Sequence, residues 1–286
     1  MKIKEPLSYK IFIAFTYTLL TCFAIICVYP FWYVVCYSLS EGFLVNSNVG
    51  LLMWPKGFTL AAYKNVFNDD SIWSGFKNTG IVLLLGVPFG LILTTFGAYF
   101  MAQKDLYFKK YIMWYIIITM YISGGTIPFY LAMKSYGLTG NLGCVIVPGA
   151  LGFFNMVILR TAFEGVPESL PESAKMDGAG HLVIMKDILL PLTKGTFAVL
   201  IMYRALGLWN SWYWASMTIR EKKKLPLQSV LRTVYEYGAG ANVDMIEESK
   251  TTEYATLVVA LIPILMVYPL MQKHFTKGVL IGSVKG

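Results

Sequence analysis

The residues best equipped for chemistry lie between Tyr203 and Trp214. Arg204 is the lone charge in an apolar stretch, and Trp209, Asn210, Trp212, Tyr213 and Trp214 follow it. Aromatic faces beside an amide suit a polyhydroxylated ligand such as a sugar: rings stack on its apolar faces, and polar atoms bond its hydroxyl edges. The same aromatics also fit a belt at a membrane–water interface. Arg204 has two readings, a contact for an acidic ligand or a structural partner to a carbonyl or acidic group. Bond-breaking machinery is missing. There is no Gly-x-x-x-x-Gly-Lys-Ser/Thr phosphate loop, no Gly-x-Ser-x-Gly and no His-Glu-x-x-His. His181 and His274 do not form a metal motif, and Cys22, Cys27, Cys36 and Cys144 sit in apolar stretches as packing residues. These features predict a chain that binds or transports, with no catalytic residue, metal or cofactor of its own.

The elements that must position these residues are membrane helices. Of the 286 residues, 56% are hydrophobic and 14% charged, against about 25% charged in an average soluble domain. Six stretches are long enough to cross a bilayer, which takes about 20 apolar residues of helix. They are Ile11–Ser40, Asn78–Gln103, Tyr111–Met133, Ser135–Leu159, Gly195–Ile219 and Tyr254–Gln272. These runs are continuous rather than alternating, which excludes a membrane barrel. The expected fold is an all-α integral membrane protein of six spans in one domain, residues 1–286. The basic Met1–Lys10 resembles the start of a signal peptide, but the following apolar run is too long for one and lacks a small-residue cleavage site, so it reads as a retained span.

Orientation follows from Lys and Arg near the span ends. Thirteen fall on the N-terminal side and ten on the other, so both termini and the loop around Glu172 are expected in the cytoplasm of a multi-pass plasma-membrane protein. The net charge of +8 then reflects retained cytoplasmic loops, with some contacts to lipid headgroups. No basic face interleaved with aromatics forms a separate domain, so nucleic acid is not an expected partner. An enzyme acting on lipid-linked sugars would need carboxylates or histidines in the membrane, and none of the six stretches holds an acidic residue.

The polar segment 164–191 joins the fourth and fifth stretches. It reads Glu172-Ser173-Ala174-Lys-Met-Asp177-Gly178-Ala179 and, with nine residues between it and Gly178, Ile188-Leu-Leu-Pro191. Ser169-x-x-Glu172 fits a capping box, and Gly178 or Gly180 can end the short helix that it starts. Ala174 and Gly178 share a helical face, where small side chains let another surface approach.

This spacing resembles the coupling loop of the membrane subunits of ABC importers, with Ser173 in place of the first Ala. Ser123-Gly-Gly125-Thr-Ile-Pro128, Leu225-Pro-Leu-Gln-Ser-Val-Leu-Arg232, the tail Lys277–Gly286 and the Trp209-Asn210-x-Trp212 pattern are similar to carbohydrate importer permeases. The resemblance implies the type I ABC importer permease fold with a cytoplasmic coupling helix. It implies a second permease, two ATPase subunits that bind ATP and Mg, an extracellular substrate-binding protein and a carbohydrate substrate. Glu172, Ser173, Ala174, Asp177, Gly178, Ala179, Ile188 and Pro191 would then couple to the ATPase. Arg204, Trp209, Asn210, Trp212, Gly125 and Pro128 would belong to the substrate pathway. Because the coupling loop is shared across substrates, a peptide or ion importer is the near alternative. Outside the membrane, 41–76 and 220–253 are expected as caps, the second contacting the binding protein.

Overall fold

The computed structural model describes residues 6–47, 50–238, 250–266 and 269. Those residues are overwhelmingly helical, with one isolated antiparallel bridge between Ser40 and Phe58. The chain divides into two compact units, Met1–Asp69 with Thr233–Ile262, and Asp70–Arg232 with Pro263–Gly286.

In the first unit, helix α1 (Leu7–Ser38) carries Pro30 and exposes its apolar side chains along almost its whole length. Only Cys36, Tyr37 and Ser38, at its C-terminal end, are buried. There they meet α2 (Gly42–Asn46) and the segment leading to α3 (Ala61–Asn68), with Val45 and Leu52 completing a small core. Backbone groups of that irregular segment are satisfied by α1. Trp32 Nε1 donates to Met53 O at 2.8 Å, and Tyr29 Oη accepts from Leu52 N at 3.2 Å. Residues 250–266 are also helical and bring Tyr254 to 4.2 Å from Tyr37 between ring centroids. The described residues after α1 are thus held to its C-terminal end.

The second unit is built around α4 (Asp70–Ala102), which packs chiefly on α8 and α12. After it come α5 (Lys109–Tyr121), α6 (Thr126–Ser135), α7 (Gly143–Ile146), α8 (Phe153–Glu164) and α9 (Ser169–Met176). A continuous winding follows: α10 (His181–Val183), a π segment (Ile184–Leu189) and α11 (Leu190–Leu192). The unit continues with α12 (Lys194–Trp209), α13 (Tyr213–Thr218), a 3-10 turn (Lys222–Lys224) and the start of α14 (Leu227–Gly238), up to Arg232. One core joins Tyr99 and Met101 of α4 to Ile116, Leu159, Phe163, Ile184 and Leu200.

By length and composition, α1 and α4 each suffice to cross a membrane. Helices α5 and α6 pass the same test only together, and a 111° bend separates them. The expected span 111–133 is thus divided between two helices. Gly125 has a φ of +89°, and Pro128 is seated in the first turn of α6, where its missing N–H costs nothing. The stretch 135–159 is likewise divided, by a turn at Pro148 and Gly149 (φ +69°). The stretch 195–219 breaks at Asn210–Trp212, between α12 and α13. Part of the sixth stretch and the whole tail 277–286 lie outside the described residues.

The described start of the segment 220–253 packs on α4. Asn78 of α4 donates to the carbonyls of Lys223 and Leu225 at 2.9 and 3.0 Å, and Thr79 Oγ1 accepts from Leu227 N at 2.9 Å. Leu225, Leu227 and Val230 are buried against this end of α4.

Candidate functional site

A cavity of about 520 Å³ opens where α6, α7, α12 and α13 meet, between Phe129, Pro148, Asn210 and Trp214. Arg204, Asn210 and Trp212 line it, which brings together half of the predicted pathway residues. The break after α12 makes this possible. Asn210 caps the helix, and the chain turns so that Trp212, Tyr213 and Trp214 stand edge to face along one wall. Phe129 closes the opposite side, its ring 4.7 Å from that of Trp214. Arg232 lies over Trp212, 4.0 Å from the ring centroid, and Ser229 Oγ donates to Trp212 O, so the wall is braced from α14.

Arg204 is held by three backbone carbonyls. Nε donates to Gly86 O at 3.3 Å, Nη1 to Gly149 O at 2.7 Å and Nη2 to Ile146 O at 3.3 Å. A half-buried guanidinium therefore ties α12 to α4, to α7 and to the turn at Pro148–Gly149. Gly90 makes the space for it, since a Cβ there would stand 2.6 Å from Arg204 Nε and 2.9 Å from Ala150 O.

Three predicted pathway residues sit elsewhere. Trp209 is half-buried outside the lining, its Nε1 enclosed without a hydrogen-bond partner among the described residues. Gly125 and Pro128 form the exposed entry to α6 and serve the site by placing Phe129. Phe129 itself was missed by sequence reasoning, although its position right after Pro128 was a usable signal. Nothing in the sequence marked Gly90 as the seat of a charge.

The second candidate site is the loop 164–191. Glu164 anchors its start, accepting from Lys109 at 3.1 Å and Arg160 at 2.9 Å. Lys104 pairs with Glu168, whose carboxylate raises the lysine pKa above its ordinary value. The predicted capping box does not form. Glu168 occupies the N-cap without a side-chain cap, and Ser169 is already inside the helix, because Glu172 N bonds the carbonyl of Glu168. The other end is as expected. Gly178 has a φ of +80°, Gly178 N bonds Lys175 O at 3.0 Å, and Ala179 N bonds Ala174 O at 2.9 Å, the paired bonds of a Schellman cap.

The face shared by Ala174 is turned inward. Ala174, Ala179 and Ile188 pack against the core formed by α4, α8 and the π segment, so small side chains at 174 and 179 let α9 approach its own protein. Gly178, expected on the same face, is exposed. The outward side carries Glu172, Ser173, Asp177 and Met176, the last 88% exposed. His181 Nδ1 and Tyr99 Oη, 2.8 Å apart, pin the following winding to α4. Pro191 has no N–H for the carbonyl of Asp187, and the π segment lies just before it.

Residues 77–281 match the family described as the binding-protein-dependent transport system inner membrane component. The chain belongs to this family. It is 36% identical over 284 residues to the polygalacturonan/rhamnogalacturonan transport system permease protein YtcP of Bacillus subtilis (strain 168), covering 97% of this chain and 99% of that one. It is 27% identical over 251 residues to the arabinooligosaccharides transport system permease protein AraQ of the same organism, covering 85% of each. Among solved structures, it superposes with a TM-score of 0.85 and 31% identity on a chain of a bacterial ABC transporter involved in the import of the acidic polysaccharide alginate. That likeness covers 96% of this chain and all of the other. The resemblance to carbohydrate ABC importer permeases thus extends along nearly the whole sequence and to the fold.

Proposed function

We propose that this chain is the transmembrane permease subunit of an ATP-driven oligosaccharide importer. Residues 1–286 act as one permease domain of six spans in a prokaryotic plasma membrane, with both termini in the cytoplasm. It forms half of the translocation pathway with a second permease. Two ATPase subunits bind ATP and Mg, and an extracellular binding protein delivers the sugar. The observation that carries this reading is the near full-length likeness to permeases named for plant-polysaccharide fragments. The alternative of a peptide or ion importer finds no support among these relatives.

The mechanism is alternating access without chemistry on this chain. ATP-driven closure of the ATPase dimer moves α9, and the exposed side with Glu172, Ser173, Met176 and Asp177 is the docking face. The motion passes to the spans because Ala174, Ala179 and Ile188 are packed on α4 and α8, so that α9 moves as part of a rigid body. At the far end of the same helices, the aromatic cavity around Asn210 and Trp212 offers stacking faces and amide bonds to a sugar.

The test is ATP-dependent uptake of labelled oligosaccharide by the whole importer in proteoliposomes. Within this chain no Cβ contact opposes substitution at Gly178, so the internal cost of Gly178→Leu is its left-handed backbone, about 1–2 kcal/mol, while the side chain adds bulk on the exposed side of the loop. The Leu variant is expected to insert and assemble but to lose uptake. Gly178→Asn, which tolerates that conformation, should retain much of it. Normal uptake by Gly178→Leu would remove the coupling assignment.

A further inference from the structure

Resting on that reading, we propose that Arg204 reads a carboxylate in the cavity, so that the importer carries acidic, uronate-containing oligosaccharides. A guanidinium has five N–H groups, and Arg204 spends three on the carbonyls of Gly86, Ile146 and Gly149. One N–H remains on each terminal nitrogen, and the residue stands in the cavity lining. Carbonyl dipoles fix the orientation of the group, but they do not cancel its unit charge. Among the described residues no carboxylate pairs with Arg204, and the lining contains neither Asp nor Glu. The positive charge is thus held in place and left for a ligand to neutralise.

Rigidity sharpens the selectivity. Gly90 lies close behind Arg204 Nε, and the three carbonyl bonds fix where the guanidinium sits. A pre-oriented cation gains more from a charged ligand, because little side-chain freedom remains to be lost. The rest of the lining fits a sugar ring rather than a free anion: Phe129, Trp212 and Trp214 supply faces, and Asn210 an exposed amide.

The test uses the assembled permease pair and ATPases in nanodiscs without the binding protein, so that the selectivity measured belongs to the membrane part. Equilibrium binding of trigalacturonate is compared with that of its methyl ester, which keeps the shape and loses the charge. The acid should bind about tenfold more tightly, a preference of the size expected for one charge-assisted contact. That preference should fall with rising salt. In Arg204→Gln the ratio of the two affinities should collapse towards one, and Arg204→Lys should keep part of it. Equal affinities in the wild type, or an unchanged ratio in Arg204→Gln, would overturn the proposal. The wild-type comparison and its salt dependence decide the matter even if the Gln variant does not assemble. Equal affinities would leave import of neutral oligosaccharides intact, whereas failure of the broader reading would appear as no ATP-dependent uptake of any oligosaccharide.

Discussion

Helices α1 and α4 have nearly the same length, 32 and 33 residues, and each carries one internal proline, Pro30 and Pro88. Both are apolar enough to span a bilayer, yet a third of the apolar window of α4 is buried and none of that of α1. The difference lies in small residues. Helix α4 has Gly75, Gly80, Gly86, Gly90 and Gly97, whereas α1 has no glycine and presents Phe12, Phe15, Phe23 and Ile26 outward. Hydropathy is what takes a helix into the membrane. Once there, lipid and leucine are equally apolar, and close approach of backbones decides which helices pack. Four of the five glycines of α4 face a neighbour within contact distance of an added Cβ: Leu227, Leu208, Arg204 and Met156 in turn.

Three substitutions would break or sharpen this contrast. The largest effect is expected for Gly90→Ala, because the new methyl meets both Arg204 Nε and the backbone carbonyl of Ala150, which cannot swing aside. A loss of about 1–3 kcal/mol or more should appear as a lowered unfolding temperature in detergent. An unchanged transition would mean that the clamp on Arg204 is looser than its geometry. Next comes Gly97→Ala, whose Cβ lies 2.6 Å from the flexible tip of Met156. Here the thioether can move, so a cost below about 1 kcal/mol is expected in the same assay. The smallest effect, of opposite sign, is predicted for Gly80→Ala. It meets nothing within 4 Å and should gain up to about 1 kcal/mol from helix propensity. If all three shifted equally, the glycines would matter through propensity alone and the contrast with α1 would need another cause.

Much of the loop 164–191 was legible in sequence, because its signals are local. Gly178 ends α9 in the left-handed conformation that the position of the glycine implied, and Pro191 marks the change in winding. The capping box failed for an equally local reason: Glu168 already serves as the N-cap, one residue before Ser169. Which way Ala174 faces was not legible, since a small residue fits an outer socket and an inner core equally well. Only the packing of α4 and α8 decides it. The membrane stretches were found by hydropathy, but hydropathy has no direction. It therefore passed over the 111° bend after Tyr121 and the breaks at Gly149 and Asn210, where apolar residues continue through a turn. The cavity showed the same division. Arg204, Asn210 and Trp212 stood out by type, whereas Phe129 comes from a different helix and joins them only through the tertiary fold.

The clamp on Arg204 also has a direction in time. Its three acceptors, at Gly86, Ile146 and Gly149, all precede it in the chain, so each has been synthesised before the arginine leaves the ribosome. A charge that costs roughly 3 kcal/mol in lipid alone can enter the bilayer with its acceptors already waiting. The order of synthesis thus matches the order of need.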